Sequence, residues 1–210
     1  MKSRKPSIPY LIWMVIFTLI PIIMIGFTAF TDKQGSFSLE AFTNAFFYTD
    51  VFLKSLWIAF LSTGISLLIA YPLAYIIAQS KAKVQSTMVM LVMIPMWMNF
   101  LLRTYSWMTL LENNGLINRF LGFFGIGPFE MINTQGAVVL GMVYDYLPFM
   151  IYPIYNILDR MDKSYAEAAA DLGATPWQVF WKVQVPLSAP GVISGIMMVF
   201  MPTVSTFAIS

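Results

Sequence analysis

The 210-residue chain contains no cysteine and no histidine. The first absence excludes disulfides and thiolate nucleophiles, and the second removes imidazole bases; together they take away the usual zinc and haem ligands, so neither a metal site nor a cofactor is expected. Charge is scarce as well. Asp, Glu, Lys and Arg make up 10% of the residues, where a soluble domain carries roughly 25%, and an ordinary water-soluble domain is excluded on that ground. Twelve basic and ten acidic residues leave a net charge of +2, too small a basic surface to neutralise a run of phosphates, so nucleic acid is not an expected partner. What is abundant is apolar: 59% of the residues are hydrophobic, 16% are aromatic and 16 are Met. Such a chain is solvated by membrane lipid.

Five apolar runs approach the ~20 residues needed to cross about 30 Å of hydrocarbon. They cover residues 8–30, 56–79, 86–111, 135–158 and 191–210. The expected fold is all-α, a polytopic membrane helix bundle forming a single transmembrane domain over 1–210. Lys2, Arg4, Lys5, Lys81, Lys83, Arg160, Lys163 and Lys182 fall on one side of the membrane, and Lys33, Lys54 and Arg119 on the other. The positive-inside bias therefore places the N-terminus and the 159–190 loop in the cytosol. The first run is longer than the apolar core of a signal peptide and no small-residue cleavage site follows it, so it reads as a retained anchor. The last run stops at Ser210 with no polar flank, and the chain reads as unfinished.

Six prolines lie in the interior of these runs: Pro21, Pro72, Pro95, Pro148, Pro153 and Pro202. Each removes an amide donor, which lipid tolerates only where neighbouring helices or water satisfy the freed carbonyl. Kinked spans are expected around a pathway that opens and closes, and the plainer account is the ordinary proline enrichment of membrane helices.

The 159–190 loop carries two helix-start signals. Ser164, with Glu167 three residues on, predicts a capping box and a helix through Ala168, Ala169 and Ala170 that ends at Gly173. Thr175-Pro176-Trp177-Gln178 repeats the device, and a second helix is expected to reach about Gln184 and stop before Pro186. Trp177, Phe180 and Trp181 share one face of it. Spacing alone leaves two readings open, a plug for a groove in another protein and a hairpin lying on lipid head groups.

One resemblance bears on that choice. Glu167-Ala168-Ala169, three residues, Gly173, nine residues, Val183, one residue and Val185-Pro186 resembles the EAA loop of ABC importer permeases, with Val where that family has Ile and Leu. Ile94-Pro95-Met96-Trp97-Met98-Asn99, Leu102-Arg103-Thr104-Tyr105, Leu147-Pro148-Phe149-Met150 and Pro153-Ile154-Tyr155 are similar to the spermidine/putrescine branch of that family. The resemblance covers the chain from Ile8 onwards. It implies a type I ABC importer permease of six spans, of which five are present here. It also implies a cell-membrane complex of two permease subunits, a cytosolic ABC ATPase dimer and an extracytoplasmic substrate-binding protein that imports polyamines. Glu167, Ala168, Ala169, Gly173 and Pro186 would then couple the spans to the ATPase. No Gly-rich loop ending in Gly-Lys-Ser/Thr occurs, so the chain is not expected to be an enzyme and the motor is another polypeptide.

Arg103 and Asp145 lie inside spans, where a charge costs about 2.5–3.5 kcal/mol on insertion scales and marks a functional candidate. Counted at 1.5 Å per residue from the outer ends of their runs, they sit about 12 and 15 Å deep, so they are able to pair. The alternative makes Asp145 a temporary partner for a cationic substrate, with Trp97, Tyr105, Tyr144 and Tyr146 offering cation–π faces and Asn99 beside the same pathway. Other readings stay open. The EAA loop does not specify cargo, so an iron chelate, oxyanion or phosphonate is allowed; a secondary transporter would need a carboxylate free of a basic neighbour; a membrane scaffold would transport nothing. In the outer loop, Leu116, Ile117, Phe120, Leu121 and Phe124 predict an amphipathic segment lying flat at the interface.

Overall fold

A computed structural model of the chain describes residues 8–31, 36–39, 42–43 and 47–209. Lys2, Arg4, Lys5 and Lys33, which enter the charge asymmetry, lie outside the described residues. The chain forms two compact units, 1–53 and 54–210.

In the first unit, α1 (Ile8–Met14) continues through a π turn at Val15–Leu19 into α2 (Ile20–Ala29). The whole makes an apolar run long enough to span, Pro9–Ala29. Pro21 sits in the first turn of α2, and the wider turn just before it lets the helix pass a residue that cannot donate.

A long helix, α3 (Thr49–Gln79), leads into the second unit. There follow α4 (Ala82–Trp97), α5 (Phe100–Leu111), α6 (Leu116–Phe123), α7 (Gln135–Arg160), α8 (Ser164–Asp171), α9 (Pro176–Val179), a π turn at Phe180–Gln184 and α10 (Val185–Ile209). Among the described residues, four unbroken stretches are long and apolar enough to cross a membrane: Pro9–Ala29, Thr49–Gln79, Gln135–Arg160 and Pro176–Thr206.

The third expected span, 86–111, is broken into two helices, with Phe100–Phe123 turned 92° from Ala82–Trp97, and the pair taken together is long and apolar enough to be a fifth span. Met98 leaves the helix with ψ 144°, and Asn99 follows in extended geometry, where its side chain accepts from the Leu101 amide at 2.8 Å. Asn99 is thus the N-cap that starts a new helix in a new direction. The stop before Pro186 is corrected. The π turn at Phe180–Gln184 re-registers the carbonyls ahead of the proline, and the helix runs on to Ile209.

Lipid gives helices little hydrophobic reason to associate, so close approach of small residues holds the bundle. Ala70, Ala74 and Ile77 of α3 share one core with Met150, Ile151 and Ile154 of α7 and Val199 of α10. Gly191 lets α10 ride on the α7 backbone: a Cβ there would stand 2.8 Å from the Pro153 carbonyl oxygen. Tyr71 of α3 donates to the Ser188 hydroxyl at 2.8 Å, since that hydroxyl spends its own proton on the Val185 carbonyl at 2.9 Å. The Gln85 amide reaches Asp159, which brings the start of α4 to the same end of the bundle as the end of α7.

Candidate functional site

Two sites emerge, at opposite ends of the second unit. The first is a cavity of about 280 Å³ between one face of α5 and one face of α7. Phe100, Thr104, Trp107 and Leu111 recur at helical spacing along one wall, and Ala137, Gly141 and Asp145 along the other. Asn133 and Thr206 close its edges.

Asp145 is buried and faces Arg103, with Nη1 and Oδ1 3.2 Å apart and each side chain 11% exposed. The pairing expected from the matched depths is therefore present. The approach is coulombic and poorly directed: Arg103 Nε and Nη1 and Asp145 Oδ1 have no hydrogen-bond partner among the described residues. The Arg103 Cζ also lies 6.0 Å from the centre of the Phe100 ring. A carboxylate already matched by an arginine is not the free acid that a secondary transporter would need.

Tyr146 lines the same cavity and donates its hydroxyl proton to Thr206 at 3.1 Å, because the Thr206 hydroxyl is itself committed to the Pro202 carbonyl. Its phenol is anchored, and what it offers the cavity is its ring. Two expected pathway aromatics are elsewhere. Trp97, at the end of α4, is 81% exposed, and Tyr105 points outward from α5. Trp97 stands at the break before Asn99, and Tyr105 lies off the Phe100, Thr104, Trp107 and Leu111 face that lines the cavity. Tyr144 packs edge-to-face on Trp107 at 5.3 Å and does not line the cavity. Sequence reasoning missed Trp107 and Thr104; the signal was their place on the Phe100–Leu111 face one or four residues from Arg103.

The second site is the α8–α9 hairpin. Gly173, at φ +85°, makes the turn, and a Cβ there would meet nothing within 4 Å. Thr175 and Gln178 form the expected reciprocal cap. The Ser164–Glu167 box does not form. Ser164 is already inside α8, and its amide donates instead to Asp162 at 2.9 Å, which holds that exposed carboxyl below the usual carboxylate range. Glu167, Ala168 and Gly173 are exposed, Ala169 is half-buried, and Leu172 at the tip is 90% exposed. Pro186, further along, is exposed on the side of α10. The aromatic trio divides: Trp177 and Trp181 face outward, whereas Phe180 turns back onto Tyr71 and Tyr75 of α3.

At the other end, α6 exposes Leu116, Phe120, Phe123 and Phe124, in keeping with the amphipathic run. Asn118 is buried, donating to the Glu112 and Phe129 carbonyls and accepting from the Phe129 amide, so it clasps α6 to the loop after it.

The sequence profile of the family described as "binding-protein-dependent transport system inner membrane component" matches residues 70–210. The chain is 36% identical over 208 residues to the spermidine/putrescine transport system permease protein PotB of Haemophilus influenzae, covering 94% of this chain and 73% of that protein. It is 35% identical to PotB of Escherichia coli K12, covering 94% and 76%. Among solved structures, a bacterial ABC transporter involved in import of the acidic polysaccharide alginate matches with a TM-score of 0.68 at 21% identity, over 88% of this chain and 66% of that one. That likeness speaks to the fold.

Proposed function

This chain belongs to the family of binding-protein-dependent transport inner-membrane components, and from that premise we propose that it is the polyamine-conducting permease subunit of an ATP-driven importer. The observation that carries the cargo is the 36% identity, over nearly the whole chain, to a spermidine/putrescine permease. The cavity agrees with it in chemistry: aromatic faces and a single carboxylate suit an alkylammonium.

In this reading the hairpin faces the cytosol and docks on an ATPase dimer, with Glu167, Ala168, Ala169 and Gly173 at the contact and Leu172 as its apolar tip. Pro186 marks where the hairpin joins α10, so a push on α9 is passed through one continuous helix into the core. A second permease subunit and an extracytoplasmic binding protein complete the assembly. Arg103, Asp145 and Tyr146 lie on the substrate pathway, and Asn99 caps the helix that forms one of its walls.

Uptake of labelled spermidine and putrescine in cells with and without the gene tests the cargo. Glu167→Lys tests the handle: transport is expected to fall to background with normal amounts of protein in the membrane, and an ATPase subunit that no longer co-purifies. Normal uptake by that variant would remove the hairpin from the coupling role.

A further inference from the structure

We propose that Arg103 is a resident stand-in for the cargo, and that its guanidinium and an incoming alkylammonium compete for the Asp145 carboxylate. The inference rests on the polyamine reading and adds to it a mechanism of release.

The geometry gives Asp145 two sides. Asp145 lines the cavity, whereas Arg103, on α5, does not line it and meets the carboxylate at 3.2 Å. A cation in the cavity therefore meets the acid without first meeting the arginine. The existing pair is loosely made, at 3.2 Å with both Arg103 Nε and Nη1 short of a directed bond. The guanidinium also has a second partner while it faces the acid: Phe100, which lines the cavity, holds its ring 6.0 Å from the guanidinium carbon, a contact that stays available when the carboxylate is shared. The cavity volume, about 280 Å³, is near the lower end of ligand pockets, roughly 300–1,000 Å³, and accepts a few methylenes and a terminal ammonium.

The electrostatics supply the reason. A carboxylate at this depth is costly without a partner, so an empty pathway lacking Arg103 would hold whatever cation it captured. With Arg103 in place the acid is neutralised in both the empty and the loaded state, and cargo gains only the difference between two cations. That difference is small, which is what a permease requires.

The test uses the transporter assembled from the full-length protein with its ATPase and companion permease and labelled spermidine as the probe, with retention read without the binding protein and uptake read with it. R103Q is expected to retain spermidine on the order of tenfold more tightly, equivalent to about 1.4 kcal/mol, and to slow maximal uptake severalfold. D145N is expected to lose retention. R103K, which keeps a competing cation, is expected to hold uptake within about twofold of the unsubstituted transporter. An assembled R103Q that retains no more spermidine, an assembled R103K that loses uptake, or an R103Q/D145N double variant transporting at the unsubstituted rate would each overturn the exchange, the last by making the pair a clamp between helices. If the unsubstituted transporter neither retains nor imports spermidine, the polyamine reading itself fails and takes the exchange with it; if it imports spermidine while R103Q is indifferent, only the exchange fails.

Discussion

Phe180 stands edge-on to Tyr75, ring centres 5.2 Å apart and planes at 84°, and meets Tyr71 at the same angle at 5.8 Å. One aromatic side chain thus ties the hairpin to α3, while its neighbours Trp177 and Trp181 stay exposed. Each such ring pair is worth about 0.5–1.5 kcal/mol beyond the area it buries. Phe180→Ala is expected to loosen the hairpin from its own bundle, so that ATP hydrolysis continues in the purified complex while transport falls severalfold. Trp177→Ala is expected instead to weaken capture of the ATPase. Equal effects of the two substitutions on capture would contradict the division of labour.

Gly173 separates backbone strain from crowding. Its φ of +85° disfavours any residue with a Cβ, yet nothing stands within 4 Å of where that atom would be. The cost of substitution is then conformational, roughly 1–2 kcal/mol for most L residues and less for Asn. Gly173→Asn is expected to keep substantial transport and Gly173→Val to lose it, at equal membrane levels judged by immunoblot. The opposite order would show that the tip is read by side-chain size.

Gly191 and Gly141 make a matched pair of helix glycines with opposite expectations. At Gly191 a Cβ would press on the Pro153 carbonyl oxygen at 2.8 Å and the Ile154 Cα at 3.1 Å, both backbone. Gly191→Ala is expected to cost about 1–3 kcal/mol, seen as earlier thermal unfolding in detergent. At Gly141 nothing lies within 4 Å, because that face looks into the cavity. Gly141→Ala is expected to be neutral or to stabilise by up to about 1 kcal/mol. Gly141→Leu is expected to fill the cavity and reduce uptake without changing the melting temperature.

The start of α8 carries a pH dependence through Asp162. The Ser164 amide bonds the ionised carboxyl, so its pKa in the folded chain lies below the ordinary 3.8. A depressed folded pKa means the contribution is whole above the unfolded value and is lost as pH falls through the folded one. Relative to its pH-dependent intrinsic rate, amide exchange at Ser164 is expected to stay flat down to about pH 4 and to accelerate below it, and Asp162→Asn, which retains an acceptor oxygen, is expected to remove most of that step. Acceleration that begins near pH 6 would assign the effect to another group.

The sequence by itself determined that this chain lives in lipid and is helical, because a scarcity of charge and runs of about 20 apolar residues leave no other way to satisfy the backbone. It also determined the hairpin turn at Gly173 and the Thr175 cap, since both depend on residues within four positions of one another. Equal depth made the Arg103–Asp145 contact legible, as depth follows from counting residues along a helix. Direction does not follow from counting. That the chain turns by 92° at Asn99, that Trp97 and Tyr105 stay outside the cavity, that Trp107 and Gly141 build its walls, and that Phe180 folds back on α3 were decided only by tertiary packing. The same local pattern serves either face of a helix, and which face meets a neighbour depends on how residues distant in the chain, such as Gly191 and Pro153, bring the helices together.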